Sequence, residues 1–146
     1  MIEYKKAFVD TAPIVYFLQG NELYYEKMKG ILRNFRKMGT LLISSDITVA
    51  EYLVMPYREN NLLLAEALES FIKLAEMQII HTSEKIAINA ARIRAEYKGF
   101  KAMDAFQLAT ALESDCDLFL TNDKQLRQFS GITCLTIDDY YLSNNI

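Results

Sequence analysis

Five short apolar runs punctuate the chain, separated by longer segments in which apolar residues recur every three or four positions. Ala7-Phe8-Val9, Leu41-Leu42-Ile43-Ser44, Met77 to Ile80, Leu118-Phe119-Leu120-Thr121 and Thr133-Cys134-Leu135-Thr136 have the length and composition of strands. Pro13 fits the first turn of a helix running through Leu18. A second helix spans Tyr24 to Met38, with Met28, Ile31, Leu32 and Phe35 on one face and Gly39 as its stop. Ile47 to Met55, ended near Pro56, and Leu62 to Ala75 predict a helical pair. Thr82-Ser83-Glu84 opens an amphipathic helix carrying Ile86, Ala90, Ile93 and Tyr97 up to Gly99; another runs from about Ala102 to Glu113. Asn122 to Gln128 predicts a short helix, and the segment after the fifth strand reads as a polar tail.

Strands alternating with helices predict an α/β fold whose parallel sheet is covered on both faces. The chain has 146 residues, 51% of them hydrophobic, enough for one proper core and few for two. Without a repeat, a linker-like stretch or a low-complexity segment, one domain over residues 1–146 is expected. The opening Met1-Ile2-Glu3-Tyr4-Lys5-Lys6 is charged and its first apolar run stops at Asp10, so neither a signal peptide nor a membrane span is expected, and the location is read as cytoplasmic.

Charge and residue inventory narrow the chemistry. A formal charge of -3 argues against binding nucleic acid through a broad basic surface. Cys116 and Cys134 form no CxxC pattern and read as buried thiols. His81 is the lone histidine and follows an apolar run at a strand end, which weakens every mechanism built on a histidine base.

Four acids stand out against this background. Asp10 follows the first strand directly and Asp123 follows the fourth with one residue between, where ligands bind in open parallel sheets if the two strands are neighbours. Glu51, with Ile47, Val54 and Met55 around it, and Asp104, with Leu108 and Ala111 on its side, each interrupt an apolar helix face and are expected to point inward. Each acid also has a local alternative. Asp10 suits a helix cap, Thr48-x-x-Glu51 and Asn122-x-x-Gln125 match capping boxes, and Asp104 favours its helix dipole. Converging carboxylates repel unless a cation neutralises them, and hard oxygen ligands select Mg²⁺ or Mn²⁺, ions suited to phosphodiester hydrolysis.

Phe8-Val9-Asp10-Thr11, Ala50-Glu51-Tyr52-Leu53, Lys101-Ala102-Met103-Asp104-Ala105 with Ala109-Thr110-Ala111, and Leu120-Thr121-Asn122-Asp123 resemble, in order, the motifs of PIN-domain ribonucleases, most closely the VapC toxins of toxin–antitoxin pairs. The resemblance spans nearly the whole chain. It implies a PIN-like three-layer α/β/α sandwich with a five-stranded parallel sheet, and a Mg²⁺- or Mn²⁺-dependent endoribonuclease whose acids match Asp10, Glu51, Asp104 and Asp123. Thr121 matches the family's Ser/Thr at that strand end, with Thr11 a further candidate and Asn122 a support for the turn. The acid that many relatives carry two positions after Asp123 is Gln125 in this chain, which bears on a second ion rather than the first.

The resemblance also implies an RNA substrate, a homodimer and a small antitoxin whose tail lies beside the active site, with Tyr16, Phe17, Tyr24, Tyr25, Tyr52 and Tyr57 available for such surfaces. Arg94, Lys98 and Lys101, with Arg92, lie shortly before Asp104 and are candidates to meet RNA; Lys27, Lys29, Arg33, Arg36 and Lys37 make a second basic helix. The main alternative is a catalytically silent PIN-like module binding RNA or protein. A phospho-accepting receiver domain fits worse, since Asp10 has no second acid beside it and Lys101 is not at a strand end.

Overall fold

The side chains of β1 (Lys6–Val9) and β4 (Leu118–Thr121) divide between two cores, which makes both strands apolar on both faces. Ala7, Val9, Leu118 and Leu120 point to one side, whereas Phe8 and Phe119 stack on the other with ring centroids 5.1 Å apart. This is the period-two geometry of a strand buried in the middle of a sandwich. The computed structural model describes residues 2–146, so Met1 of the charged opening segment lies outside it.

Five strands form one parallel sheet in the order β3-β2-β1-β4-β5, completed by β2 (Leu41–Ser45), β3 (Gln78–Ile80) and β5 (Thr133–Thr136). The chain steps outward from β1 through β2 to β3, then returns to the other side of β1 for β4 and β5. The order therefore reverses between β1 and β4. One face is covered by α1 (Thr11–Leu18), α2 (Tyr25–Met38), α3 (Asp46–Arg58), α4 (Leu62–Leu74) and α7 (Ile137–Ser143), through Ile14, Met28, Ile31, Phe35, Tyr52, Leu68, Phe71 and Tyr140. The other is covered by α5 (Glu84–Glu96) and α6 (Ala102–Glu113), through Ile86, Ala90, Ile93, Ala105, Leu108 and Ala109. The three-layer α/β/α arrangement is the one expected.

Local chemistry accounts for most boundaries. Gly39 ends α2 in the left-handed region at φ 72°, where a side chain is strained, and Ser83 caps α5 by accepting the Ile86 N–H. Four details differ from the pattern-based reading. Pro56 does not end α3, which continues to Arg58 with the proline ring buried, since a proline this close to the end forfeits only one helical hydrogen bond. Residues Lys124–Gln128 form a 3-10 helix, capped by Asp123 rather than Asn122. Ser45, not Thr48, caps α3, so the Thr48–Glu51 box is not the helix start.

The last difference is α7, which stands where the composition predicts a polar tail. Thr136 and Asp139 close a reciprocal capping box, and Tyr140 packs edge-on against Phe35 while accepting a 2.8 Å hydrogen bond from Asn34. A segment this short is helical because of that packing, not its own propensity.

No helix among the described residues is long and apolar enough to cross a membrane. Cys116 and Cys134 are both buried and unpaired, and His81 is exposed, 3.8 Å from Asp46.

Candidate active site

Parallel pairing of β1 with β4, Val9 beside Leu120, puts Asp10 and the Thr121-Asn122-Asp123 turn at the carboxyl edge where the strand order reverses. The Asp10 N–H extends the pairing by donating to the Leu120 carbonyl at 2.9 Å. Thr121, fully buried, links the two acids. Its hydroxyl donates to Asp10 Oδ2 at 2.8 Å and accepts the Asp123 N–H at 3.1 Å. The α1 start adds the Thr11 N–H, 2.9 Å from Asp10 Oδ1. Asp10 is therefore both a helix cap and a member of the acid group.

Asp104, in the first turn of α6, lies among the other three. It is half-buried, its Leu108 and Ala111 neighbours face the core as expected, and its pKa is raised by burial and by the charges of Asp123 and Glu51, against the lowering effect of Lys101. Burial is also the main reason that the Asp10 carboxyl is pushed up to about 6, with the Asp104 charge adding to it and hydrogen bonds from Thr11, Thr121 and Gln107 opposing it. Asp10 at the end of β1, Glu51 on α3 and Asp123 after β4 each lie within electrostatic reach of Asp104 on α6.

Glu51 arrives in a different way from that expected. Its neighbours Val54 and Met55 are exposed, and so is Glu51 itself; the buried stripe of α3 is Thr48, Tyr52 and Pro56. Being in the outer layer, α3 offers only that one stripe to the core. Glu51 is held at the rim instead by the Thr11 hydroxyl, which donates to its Oε1 at 2.7 Å.

The arrangement rests on a buried residue outside the four motifs. Gln107, one turn along α6 from Asp104, accepts from the Ser45 hydroxyl and donates through Nε2 to Thr48 Oγ1 at 2.6 Å and Asp10 Oδ1 at 3.3 Å. The carboxylate can only accept, so the amide orientation is determined. Gln107 ties β2, α3 and α6 to the end of β1. Its signal is present in Ala105-Phe106-Gln107-Leu108-Ala109, a polar residue inside an apolar run, as are the four acids.

The remaining candidates are dispersed. Asn122 is half-buried and donates to Tyr16 Oη at 3.4 Å. Lys101 is the cation felt by Asp104; Arg94 is exposed with Nε donating to the Phe100 carbonyl at 3.4 Å, and Lys98 is exposed in the turn between α5 and α6. Gln125 donates through Nε2 to the Gly99 carbonyl at 3.2 Å, a bond that a carboxylate there cannot make. Of the tyrosines suggested for partner surfaces, Tyr52 is buried and its hydroxyl donates to the Leu64 carbonyl at 2.8 Å, joining α3 to α4.

The donor set is all carboxylate and hydroxyl oxygen, without thiolate or imidazole, which by its chemistry fits a hard divalent ion. As the side chains stand, no three His, Cys, Asp or Glu residues among the described residues are gathered closely enough to hold one. Glu51 Oε1 is engaged by Thr11, and Asp123 Oδ1 accepts the Gln125 N–H at 2.9 Å.

Comparison with known proteins agrees with the fold. A toxin–antitoxin complex from Klebsiella pneumoniae contains a similar chain, with TM-score 0.69 and 24% identity over 90% of this chain and 97% of that one. VapBC2 from Rickettsia felis, bound to a DNA fragment from its promoter, gives TM-score 0.69 and 17% identity over 90% and 98%. VapC20 from Mycobacterium tuberculosis, described as a sarcin-ricin loop cleaving toxin, gives TM-score 0.63 and 15% identity over 87% and 98%. At such identities the likeness is one of fold. No curated protein matches the chain in sequence. The PIN domain profile does match, over residues 7–132, from the first strand to the residue before the last strand, and on that extent the chain belongs to the PIN-domain family.

Proposed function

We propose that the chain is a Mg²⁺- or Mn²⁺-dependent endoribonuclease that hydrolyses RNA phosphodiester bonds, acting as the VapC-like toxin of a toxin–antitoxin pair. One observation carries this reading: Asp10 and Asp104 meet at the reversal point of the sheet, both pushed up by burial and by neighbouring carboxylates, with Lys101 lowering Asp104 and hydrogen bonds from Thr11, Thr121 and Gln107 lowering Asp10. Such clustering is costly unless the site receives a cation.

Asp10, Asp104, Asp123 and Glu51 would hold the ion. When bound, a divalent ion polarises a phosphoryl oxygen and makes water a better nucleophile. The protein's own part is to orient. Thr121 and Gln107 fix the two oxygens of Asp10, Thr11 fixes Glu51, and Lys101 offers positive charge to the phosphate at the rim. Because the overall charge is -3, the ion supplies attraction that the surface lacks.

The same reading includes a small antitoxin and a second copy of the chain as partners, after the toxin–antitoxin complexes of similar fold. Val54, Met55, Tyr57, Leu62 and Leu63, exposed along α3 and α4, are apolar surface suited to an antitoxin.

The test is cleavage of RNA by the purified chain with Mg²⁺ or Mn²⁺, with chelator and with Asp104→Asn. Cleavage abolished by both supports the reading, and cleavage indifferent to both overturns it. Chelator-insensitive RNA binding without cleavage would instead identify a silent binding module.

A further inference from the structure

Beside the acids lies a cleft of about 540 Å³ that hydrolysis itself does not require. Its walls include Tyr16, Tyr24, Asn122, Asp123, Lys124 and Asp138, so it opens from the strand-end acid toward the N-terminal ends of α2 and α7. The Tyr16 and Tyr24 rings are stacked, with centroids 4.9 Å apart and planes 17° apart. Asn122 reaches Tyr16 Oη, and Lys27, paired with Asp138 at 2.5 Å, lies 5.8 Å from the Tyr24 ring centroid. An aromatic pair, a side-chain amide, a carboxylate and two cations thus meet at one end of the acid group.

We infer that this cleft binds one unpaired nucleotide of single-stranded RNA adjacent to the phosphate at the acids. The inference rests on the ribonuclease reading. Its volume is within the range of ligand sites, about 300 to 1,000 Å³. The cleft wall carries Asp123 and Asp138 beside Lys124, and base stacking, which tolerates such an acidic surface, adds to the attraction that the ion supplies. The tyrosines form the stacking platform. Asn122, which both donates and accepts, and Asp138, which accepts, contact the base edge; Lys124 meets the backbone phosphate on the far side from Asp104.

The experiment uses the full chain and a set of short single-stranded RNAs in which one nucleotide at a time is made abasic. Binding is measured to Asp104→Asn protein, and cleavage to the unmodified chain with Mn²⁺. One abasic position is expected to weaken binding by about tenfold, and adding Tyr24→Leu should shrink that penalty to about twofold or less. Because Tyr24 also packs on Tyr16, Asn122→Ala is the second variant: it should change base preference at the same position and lower the melting temperature less than Tyr24→Leu does. A penalty of equal size in the variants, or none at any position, overturns the inference.

Failure of the two readings is distinguishable. RNA that is not cleaved in either metal yet shows the Tyr24-dependent abasic penalty leaves the subsite standing and removes the nuclease. Cleavage without any position dependence does the reverse. If an arginine-containing peptide, and not RNA, perturbs the Tyr16 and Tyr24 ring signals by NMR, the cleft is a protein-binding groove and the inference falls.

Discussion

Thr121 Oγ1 donates to Asp10 Oδ2 across the β1–β4 pair at 2.8 Å, and the same oxygen accepts the Asp123 N–H. One buried hydroxyl therefore sets the position of two candidate metal ligands that are far apart in sequence. Thr121→Val keeps the shape and removes both bonds. It is expected to cost about 1–3 kcal/mol of stability, since the Asp123 N–H and the Asp10 carboxylate lose a partner, and to reduce RNA cleavage more than Thr121→Ser. Denaturant unfolding and cleavage rates on the two variants check this.

Asp10 makes the metal-free protein pH-sensitive. Its folded pKa of about 6 is above the ordinary 3.8, so the folded state binds the proton more tightly than the unfolded chain. Stability from this group is complete below about 4 and is lost as pH rises to about 6. At about 1.4 kcal/mol per pH unit the loss is at most about 3 kcal/mol, and less because the carboxylate is partly open to water. In chelator, Asp10→Asn should melt higher than the unsubstituted protein at pH 7 and no higher at pH 4. Mn²⁺ should raise the melting temperature of the unsubstituted protein at pH 7 and leave Asp10→Asn nearly unchanged.

Gln107→Leu removes the amide that Ser45, Thr48 and Asp10 share. Leaving these buried groups without it is expected to cost about 2–4 kcal/mol. Gln107→Glu retains an acceptor for Ser45 but places a second carboxylate against Asp10, so it should be the more damaging of the two at pH 7 and recover at lower pH. Thermal melts of both variants from pH 5 to 8 separate loss of bonding from charge repulsion.

The cysteines are expected to be inert. Burial pushes both the Cys116 and the Cys134 thiol up to about 12, so hardly any thiolate is present at pH 8. Labelling with a thiol reagent should be slow in native conditions and accelerate only when denaturant opens the core. Rapid labelling of either thiol in the native protein would contradict its burial.

Much of the fold is legible from local pattern. The five strands, the α2 stop at Gly39 and the α5 start at Ser83 follow from period, propensity and turn chemistry that lie within a few residues of each element. Asp104 facing inward is legible for the same reason, because Leu108 and Ala111 share its helix side. Glu51 is misplaced by that very argument: Val54 and Met55 are apolar but face solvent, and only the docking of α3 shows which stripe is buried.

The sequence by itself determined the alternation of strands and helices, the acids that close or interrupt apolar runs, and the absence of a histidine or thiolate set. It could do so because hydrophobic period and side-chain chemistry are local properties. Only the tertiary structure decided that β1 and β4 are neighbours, that Thr121 and Gln107 both grip Asp10, and that Tyr16, Tyr24 and Asn122 share a cleft with Asp123. Strand adjacency and hydrogen bonds across some hundred residues are set by how the layers pack, and no local period encodes that choice.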